Sequence, residues 1–279
     1  MNLLCNRLLA NGYNAAIITE PDQRPPFRVR YLTAERVAKQ KLKGRDPIVI
    51  YPEVIKGNPF DARFVVRYLL NKPGLLAPGS ELKFGATDYF ITADPEFVPE
   101  GKSGFDVFMP LVDRVVYFPP PRNSTRAGFV IFSNRADPDP AAFPPWLTPR
   151  TIVSMREPRS HSDLADLYRR SRAMVTWERS SAIHEALMCG CPVICIGNES
   201  FNQTTYQARF RGGGHIWGWY QDQIETATRE TRRYRKLYRR LERNLDRRIR
   251  VAFDSIITDA RLRSRDESGS RPGAERAEP

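Results

Sequence analysis

Apolar residues fall in short runs over the first 120 positions, spaced by polar and helical stretches. Residues 14–19, 48–52, 89–93 and 115–118 read as strands. A helix is expected over Asn2–Ala10. Another is expected over Phe60–Asn71, where Phe64, Val65, Tyr68 and Leu69 recur at helical spacing. Continuous apolar runs alternating with helices predict a parallel sheet covered on both faces. Pro119, Pro120 and Pro121 then break the pattern and predict a linker over 119–127. A second alternation follows. Strands are expected at 128–132, 151–154, 173–177 and 192–196, with a Pro- and Asp-rich loop at 136–150. Helices are expected at 163–171, with Leu164, Leu167 and Tyr168 on one face and Ser162 as N-cap, and at 181–189. From Asp222 onward Tyr234, Leu237, Leu241, Leu245, Ile249, Ala252 and Ile256 recur every three or four residues. This spacing predicts one long amphipathic helix, about 50 Å if unbroken over about 35 residues. Ser, Gly, Arg, Glu and Pro dominate after Arg263 and predict a disordered tail.

The resulting organisation is α/β with four segments: 1–122, 123–225, a basic helix over 226–262, and a tail over 263–279. A doubly wound domain normally opens on a strand near the middle of its sheet. Here the first segment opens on a helix, so that strand is expected upstream of Met1.

Composition narrows the class. Hydrophobic residues make up 41% of the 279 positions, which excludes a wholly disordered chain. The formal net charge of +12 calls for an anionic partner: phosphate, nucleic acid or a membrane surface. Much of it lies between Arg229 and Arg263, with 13 Lys/Arg against 5 Asp/Glu. Aromatic Tyr234, Tyr238 and Phe253 interleave with these cations, a composition also compatible with nucleic-acid phosphates and bases. The four cysteines, Cys5, Cys189, Cys191 and Cys195, do not spread as a disulfide framework. They read as reduced thiols in a cytoplasmic protein. They form no CxxC pair, so no metal site is expected. No apolar run reaches the ~18 residues of a membrane span, and the N-terminus lacks the features of a secretory signal.

The chemistry concentrates in Trp177–Gly197, WERSSAIHEALMCGCPVICIG. Ser180 and Ser181 fall at a helix start, where free N–H groups and the dipole suit a pyrophosphate. Glu185 shares a helix face with Ser181 and carries a carboxylate able to accept from a ribose diol. Each residue has an ordinary alternative: a serine cap, a first-turn acid that complements the dipole, a packed His184. Gly212, Gly213 and Gly214 lack the ending of a phosphate loop and read as a tight turn. In the first segment Glu53, Asp88 and Asp94 are candidate carboxylate bases. Glu53 is also placed to fix the loop around Asn58.

Glu178, Ser180–Ser181, Glu185–Ala186, Gly190 and Pro192–Val193 resemble the nucleotide-sugar signature of GT-B glycosyltransferases. The similarity is to bacterial polysaccharide-biosynthesis enzymes, with a nucleotide-sugar domain of the glycosyltransferase family 4 type. It extends over Tyr51–Gly74 and Gly213–Ala227. The resemblance implies two Rossmann-like domains, the N-terminal one for the acceptor, and a final helix returning to it. It implies Glu185 on the ribose, Ser180, Ser181 and His184 near the diphosphate, Glu178 facing the donor sugar, and Arg135 neutralising the diphosphate. Residues 154–156 would meet the base. Metal and cofactor would be absent, the nucleotide-sugar being a substrate. The implied activity is transfer of a hexosyl-type sugar to a surface polysaccharide or a lipid-linked glycan acceptor; separately, the basic helix reads either as a solvated charged face or as an attraction to the inner face of an anionic membrane. Three departures stand against a complete enzyme. Glu178 and Glu185 are separated by six residues where the pattern has seven. The opening strand and glycine-rich loop are missing, and no His occurs before His161. The alternative is a catalytically silent or truncated binding or scaffold protein of the same family, with nucleic-acid binding through the basic helix a weaker reading.

Overall fold

The computed structural model describes residues 1–18, 29–44, 46–75, 84–134, 139–199, 201–204, 206, 210 and 213–269. The chain divides into two compact units. Unit 1 comprises Met1–Met109 with Arg243–Pro279, and unit 2 comprises Pro110–Glu242. Both are α/β with parallel sheets. Among the described residues no helix is long and apolar enough to cross a membrane.

Unit 1 begins with α1 (Asn2–Ala10) and a short parallel pair, β1 (Ile17–Ile18) and β2 (Tyr31–Leu32), followed by α2 (Ala34–Leu42). Its main sheet is β3 (Ile48–Pro52), β4 (Phe64–Leu69), β5 (Tyr89–Thr92) and β6 (Phe105–Asp106), paired in that order and all parallel. The helix expected over Phe60–Asn71 is instead the inner strand β4. All six of its residues are buried. The charged residue of this strand, Arg67, is turned inside and paired with Asp88. Valines and aromatics then fill both faces of a strand flanked by β3 and β5.

Unit 2 contains β7 (Phe129–Phe132), β8 (Arg150–Val153), α3 (His161–Arg170), β9 (Ala173–Thr176), α4 (Ser181–Met188), β10 (Val193–Cys195) and β11 (His215–Trp217). The sheet order is β11-β10-β9-β7-β8, entirely parallel. This is the doubly wound order 2-1-3-4-5, whose connections diverge between the first and third strands. The α3 cap is Ser160, whose Oγ accepts from the Asp163 amide at 3.1 Å; the expected Ser162 lies inside the helix. Between β7 and β8 the described chain is a 3-10 turn and coil. Phe143, Trp146 and Leu147 pack from it onto Phe129, Ile131, Ala173 and Val175, taking the place of a crossover helix.

Residues 115–118 are a turn, not a strand. Asp113 accepts from the amides of Val115 and Tyr117, each at 2.8 Å, and Val115 stands in solvent. Residues 110–127 belong to unit 2, so its first residues precede the expected boundary at 122. The bonds explain the membership: the Val112 amide donates to Tyr238 Oη at 2.9 Å, and Arg114 pairs with Glu242 at 2.9 Å.

The last helix, α5 (Ile224–Gly269), is unbroken and extends past the expected end at 262. Residues 270–279 of the expected tail lie outside the described residues. In unit 2 the helix buries Ile224, Ala227, Tyr234, Tyr238 and Leu241. In unit 1 it buries Leu245, Ile249, Ala252, Phe253 and Ile256 against Leu4, Leu8, Val66, Tyr68 and Ile91. Asp246 accepts from Asn11 at 3.1 Å and Asp254 accepts from Tyr13 at 2.6 Å, which fixes α1 and its exit along this half. Tyr234, Tyr238 and Phe253 are thus core residues, and the bases of a nucleic acid have none of them to stack on.

Candidate functional site

In an open α/β sheet, ligands bind outside the carboxyl ends of the strands where the connections diverge. In unit 2 that point lies between β7 and β9. Glu178, two residues past β9, is buried there and accepts from the Asn134 amide, just past β7, at 2.8 Å. One carboxylate therefore ties together the two strand ends that form the crevice. Ser180 caps α4, its Oγ accepting from the Ala182 amide at 3.3 Å, while Ser181 is exposed at the first helical position. Ser154 and Arg156, past β8, close a turn in which Ser154 Oγ accepts from the Arg156 amide at 3.3 Å; Met155 between them is exposed. Arg135 lies outside the described residues.

The remaining sequence candidates on α4 are engaged by different partners. The His184 ring packs among Phe210, Tyr234 and Tyr238, and its Nδ1 bonds to the Tyr234 hydroxyl. These contacts are with α5 and a neighbouring aromatic side chain. Glu185 is half-buried beside the Tyr117 hydroxyl, and Tyr117 Oη is 2.7 Å from His161 Nδ1 at the start of α3. Tyr168 is fully buried near the same carboxylate, its hydroxyl without a partner among the described residues. A ribose diol on Glu185 would have to share the carboxylate with Tyr117. Sequence reasoning missed Tyr117, His161 and Asn134. Tyr117 was hidden in an apolar stretch read as a strand, and Asn134 acts through its backbone.

Burial raises the Glu185 pKa above the ordinary value of 4.5, opposed by His161 and the Tyr117 hydroxyl. The folded state therefore holds this proton more tightly than the unfolded chain. Its contribution to stability falls as pH rises from 4.5 through the raised value, and the cost stays in full above it. Glu185→Gln is accordingly expected to melt higher than the parent at pH 8, with no difference below pH ~4. Equal differences at both pH values would show that the carboxylate charge is not what the fold resists.

In unit 1 the three candidate acids are committed to structure. Glu53 is buried, and its two oxygens accept from the Leu70 amide at 3.1 Å and Asn71 Nδ2 at 2.9 Å. It fixes the chain after β4; the loop at Asn58 is held by Tyr51 Oη and the Ala62 backbone. Asp88 binds Arg67 Nε at 2.6 Å. Asp94 caps the 3-10 turn Pro95–Phe97 by accepting from the Glu96 amide at 3.2 Å.

Gly213 and Gly214 precede β11 with φ of 86° and 90°, at the amino end of the sheet. Gly212 lies outside the described residues. Among the described residues no group of three or more His, Cys, Asp and Glu is arranged to hold a metal. All four cysteines are buried. Burial pushes the Cys189 and Cys191 thiols up to about 12 and raises Cys195 further. The native protein is expected to leave them unreacted with a thiol-specific disulfide reagent over minutes, and the unfolded protein to release all four. Rapid reaction of a native thiol would contradict this packing.

Comparison with protein-family models and with curated protein sequences returned no match for this chain.

Proposed function

We propose that unit 2 binds a nucleotide-diphosphate sugar and that the protein is a GT-B-type glycosyltransferase acting on a surface polysaccharide or lipid-linked glycan acceptor. One observation carries this reading: Glu178 bridges the strand ends at the topological switch point, directly before the capped N-terminus of α4. That helix end offers N–H donors and a positive dipole to a diphosphate, and developing charge on a leaving diphosphate is what a transferase has to stabilise. Glu178 would face the sugar and Glu185 the ribose.

Thermal melts against UDP, GDP, CMP, dTDP and ADP at fixed salt test the donor reading. One diphosphate is expected to raise the melting temperature, by an amount equivalent to about 2.7 kcal/mol at one hundred times its Kd. Ser181→Asp puts an acid at an exposed first-turn position, which favours the helix but repels a diphosphate. The variant is expected to fold at least as stably and to lose the nucleotide shift. A full shift in Ser181→Asp, or none with any nucleotide in the parent, counts against the site.

A second reading, binding without transfer, is favoured by the engagement of Glu53, Asp88 and Asp94 in structural bonds. It is separated from the first by incubating the bound nucleotide-sugar with candidate glycan acceptors and assaying release of the nucleotide diphosphate.

A further inference from the structure

Unit 2 gathers arginines at the C-terminal end of α4. Arg126 lies across two helix ends: Nη1 donates to the carbonyls of Tyr168 at 3.1 Å and Ser171 at 2.9 Å, and Nη2 to that of Cys189 at 3.0 Å. Those carbonyls terminate α3 and α4, where a cation is favoured. Arg235 of α5 arrives at the same place. A methyl group built on Gly190 would lie 3.1 Å from Nη2 of Arg126 and 3.4 Å from Nη1 of Arg235. Two guanidinium groups therefore flank one point. Arg235 is half-buried, and among the described residues its single hydrogen bond is Nη1 to Thr231 Oγ1 at 2.9 Å. Arg232 and Arg239, about one turn to either side on α5, are exposed and share the region. None of the four pairs with a carboxylate among the described residues.

This arrangement costs free energy as it stands. Burial and then the charges of Arg239, Arg126 and Arg232 all disfavour the charged form of Arg235. A guanidinium carries five N–H donors in a planar fork that matches a phosphate oxygen pair. Arg235 uses one of them here. A tetrahedral phosphate anion between Arg235 and Arg126 would answer the unused donors and offset the repulsion together.

We propose that Arg126, Arg235, Arg232 and Arg239 form a phosphate-binding site, taking a phosphate group either free in solution or on an anionic lipid headgroup. The site is separate from the diphosphate end of α4. Ser181 lies at the other end of this eight-residue helix, about 12 Å away. It stands or falls independently of the donor reading.

The test uses the full chain, melted in sodium phosphate and in sodium chloride at equal ionic strength. The four tryptophans all lie in unit 2, so their fluorescence reads this unit. Phosphate is expected to raise the parent's melting temperature by roughly 3 °C or more. Arg235→Gln is expected to melt no lower than the parent in chloride, because a repulsion is removed, and to lose the phosphate shift. The double variant Arg232→Gln/Arg239→Gln changes only exposed side chains and is expected to weaken the phosphate response several-fold. It decides the matter should Arg235→Gln fail to fold. Co-sedimentation with vesicles of phosphatidylglycerol and phosphatidylcholine, against phosphatidylcholine alone, distinguishes the sources. Variant-sensitive binding to the anionic vesicles assigns a headgroup, and a variant-sensitive phosphate response without it assigns a free phosphate. If phosphate shifts and vesicle binding are the same in the parent and the variants, or absent from all of them, the proposal is overturned.

Discussion

Replacing Asp88 with alanine is expected to destabilise unit 1 by about 3–5 kcal/mol, the usual cost of removing one partner of a buried ion pair. Arg67 is 1% exposed and sits in the middle of β4, an inner strand of its sheet. Asp88 supplies its only charge partner among the described residues, at 2.6 Å. Without it the guanidinium retains the carbonyls of Ile55 at 3.3 Å and Gly57 at 2.7 Å, and the rings of Tyr51 and Phe84. Dipoles and ring faces do not replace a carboxylate around a desolvated cation. The Gly85 amide, which also donates to Asp88, loses its acceptor. Urea unfolding followed by far-ultraviolet circular dichroism measures the loss. The double variant Arg67→Met/Asp88→Leu removes both charges and is expected to recover much of it. A single variant within 1 kcal/mol of the parent would mean that water or a rearranged loop solvates Arg67.

In unit 2 the largest expected effect is at Gly214. Gly214→Ala is expected to cost about 3 kcal/mol, from left-handed backbone strain and overpacking together. The residue has φ of 90°. An added Cβ would stand 2.6 Å from Leu187 Cδ2 and 3.2 Å from Thr231 Cγ2. Leu187 on α4 and Thr231 on α5 are both buried, so neither swings aside cheaply. The backbone is equally committed, because the Gly214 carbonyl accepts from the Val193 amide at 2.8 Å at the start of the β10–β11 pairing. Tryptophan fluorescence in urea reads the transition. A change below ~0.5 kcal/mol would show that α4 and α5 do not close on β11 here. Gly214 thus serves close packing between a strand and two helices.

The pattern of the chain already separated strands from helices where local preference and tertiary environment agree. β7, β9 and β10 are short β-rich runs buried on both faces, β8 is an edge strand that leaves Arg150 and Ile152 exposed, and α5 keeps an apolar stripe over ten turns or more. The reading failed at Phe60–Asn71 because Phe64, Val65, Tyr68 and Leu69 fit a helical spacing, although all six residues of the strand, Arg67 included, are buried. Spacing cannot tell a polar face from a single buried ion pair, and the partner Asp88 lies 21 positions away. It failed at 115–118 for the opposite reason: two valines and two aromatics look like a strand, but the turn at Asp113 and the prolines on either side leave them nothing to pair with.

The candidate site divides along the same line. The capped helix start at Ser180–Ser181 and the acid ahead of it are local features, and a helix end advertises itself in its first residues. Sequence alone therefore determined the α/β class, the strand–turn–helix at 173–189, the long basic helix and the surplus of cations. Tertiary structure alone decided the strand order that makes Glu178 a bridge across a switch point. It also decided that His184 faces Tyr234, that Tyr117 and His161 meet at Glu185, and that Arg126 and Arg235 converge on Gly190. The physical reason is sequence distance. Hydrophobic period and capping act over one or two turns, whereas charge pairing and hydrogen bonding act wherever the fold brings groups within about 3 Å.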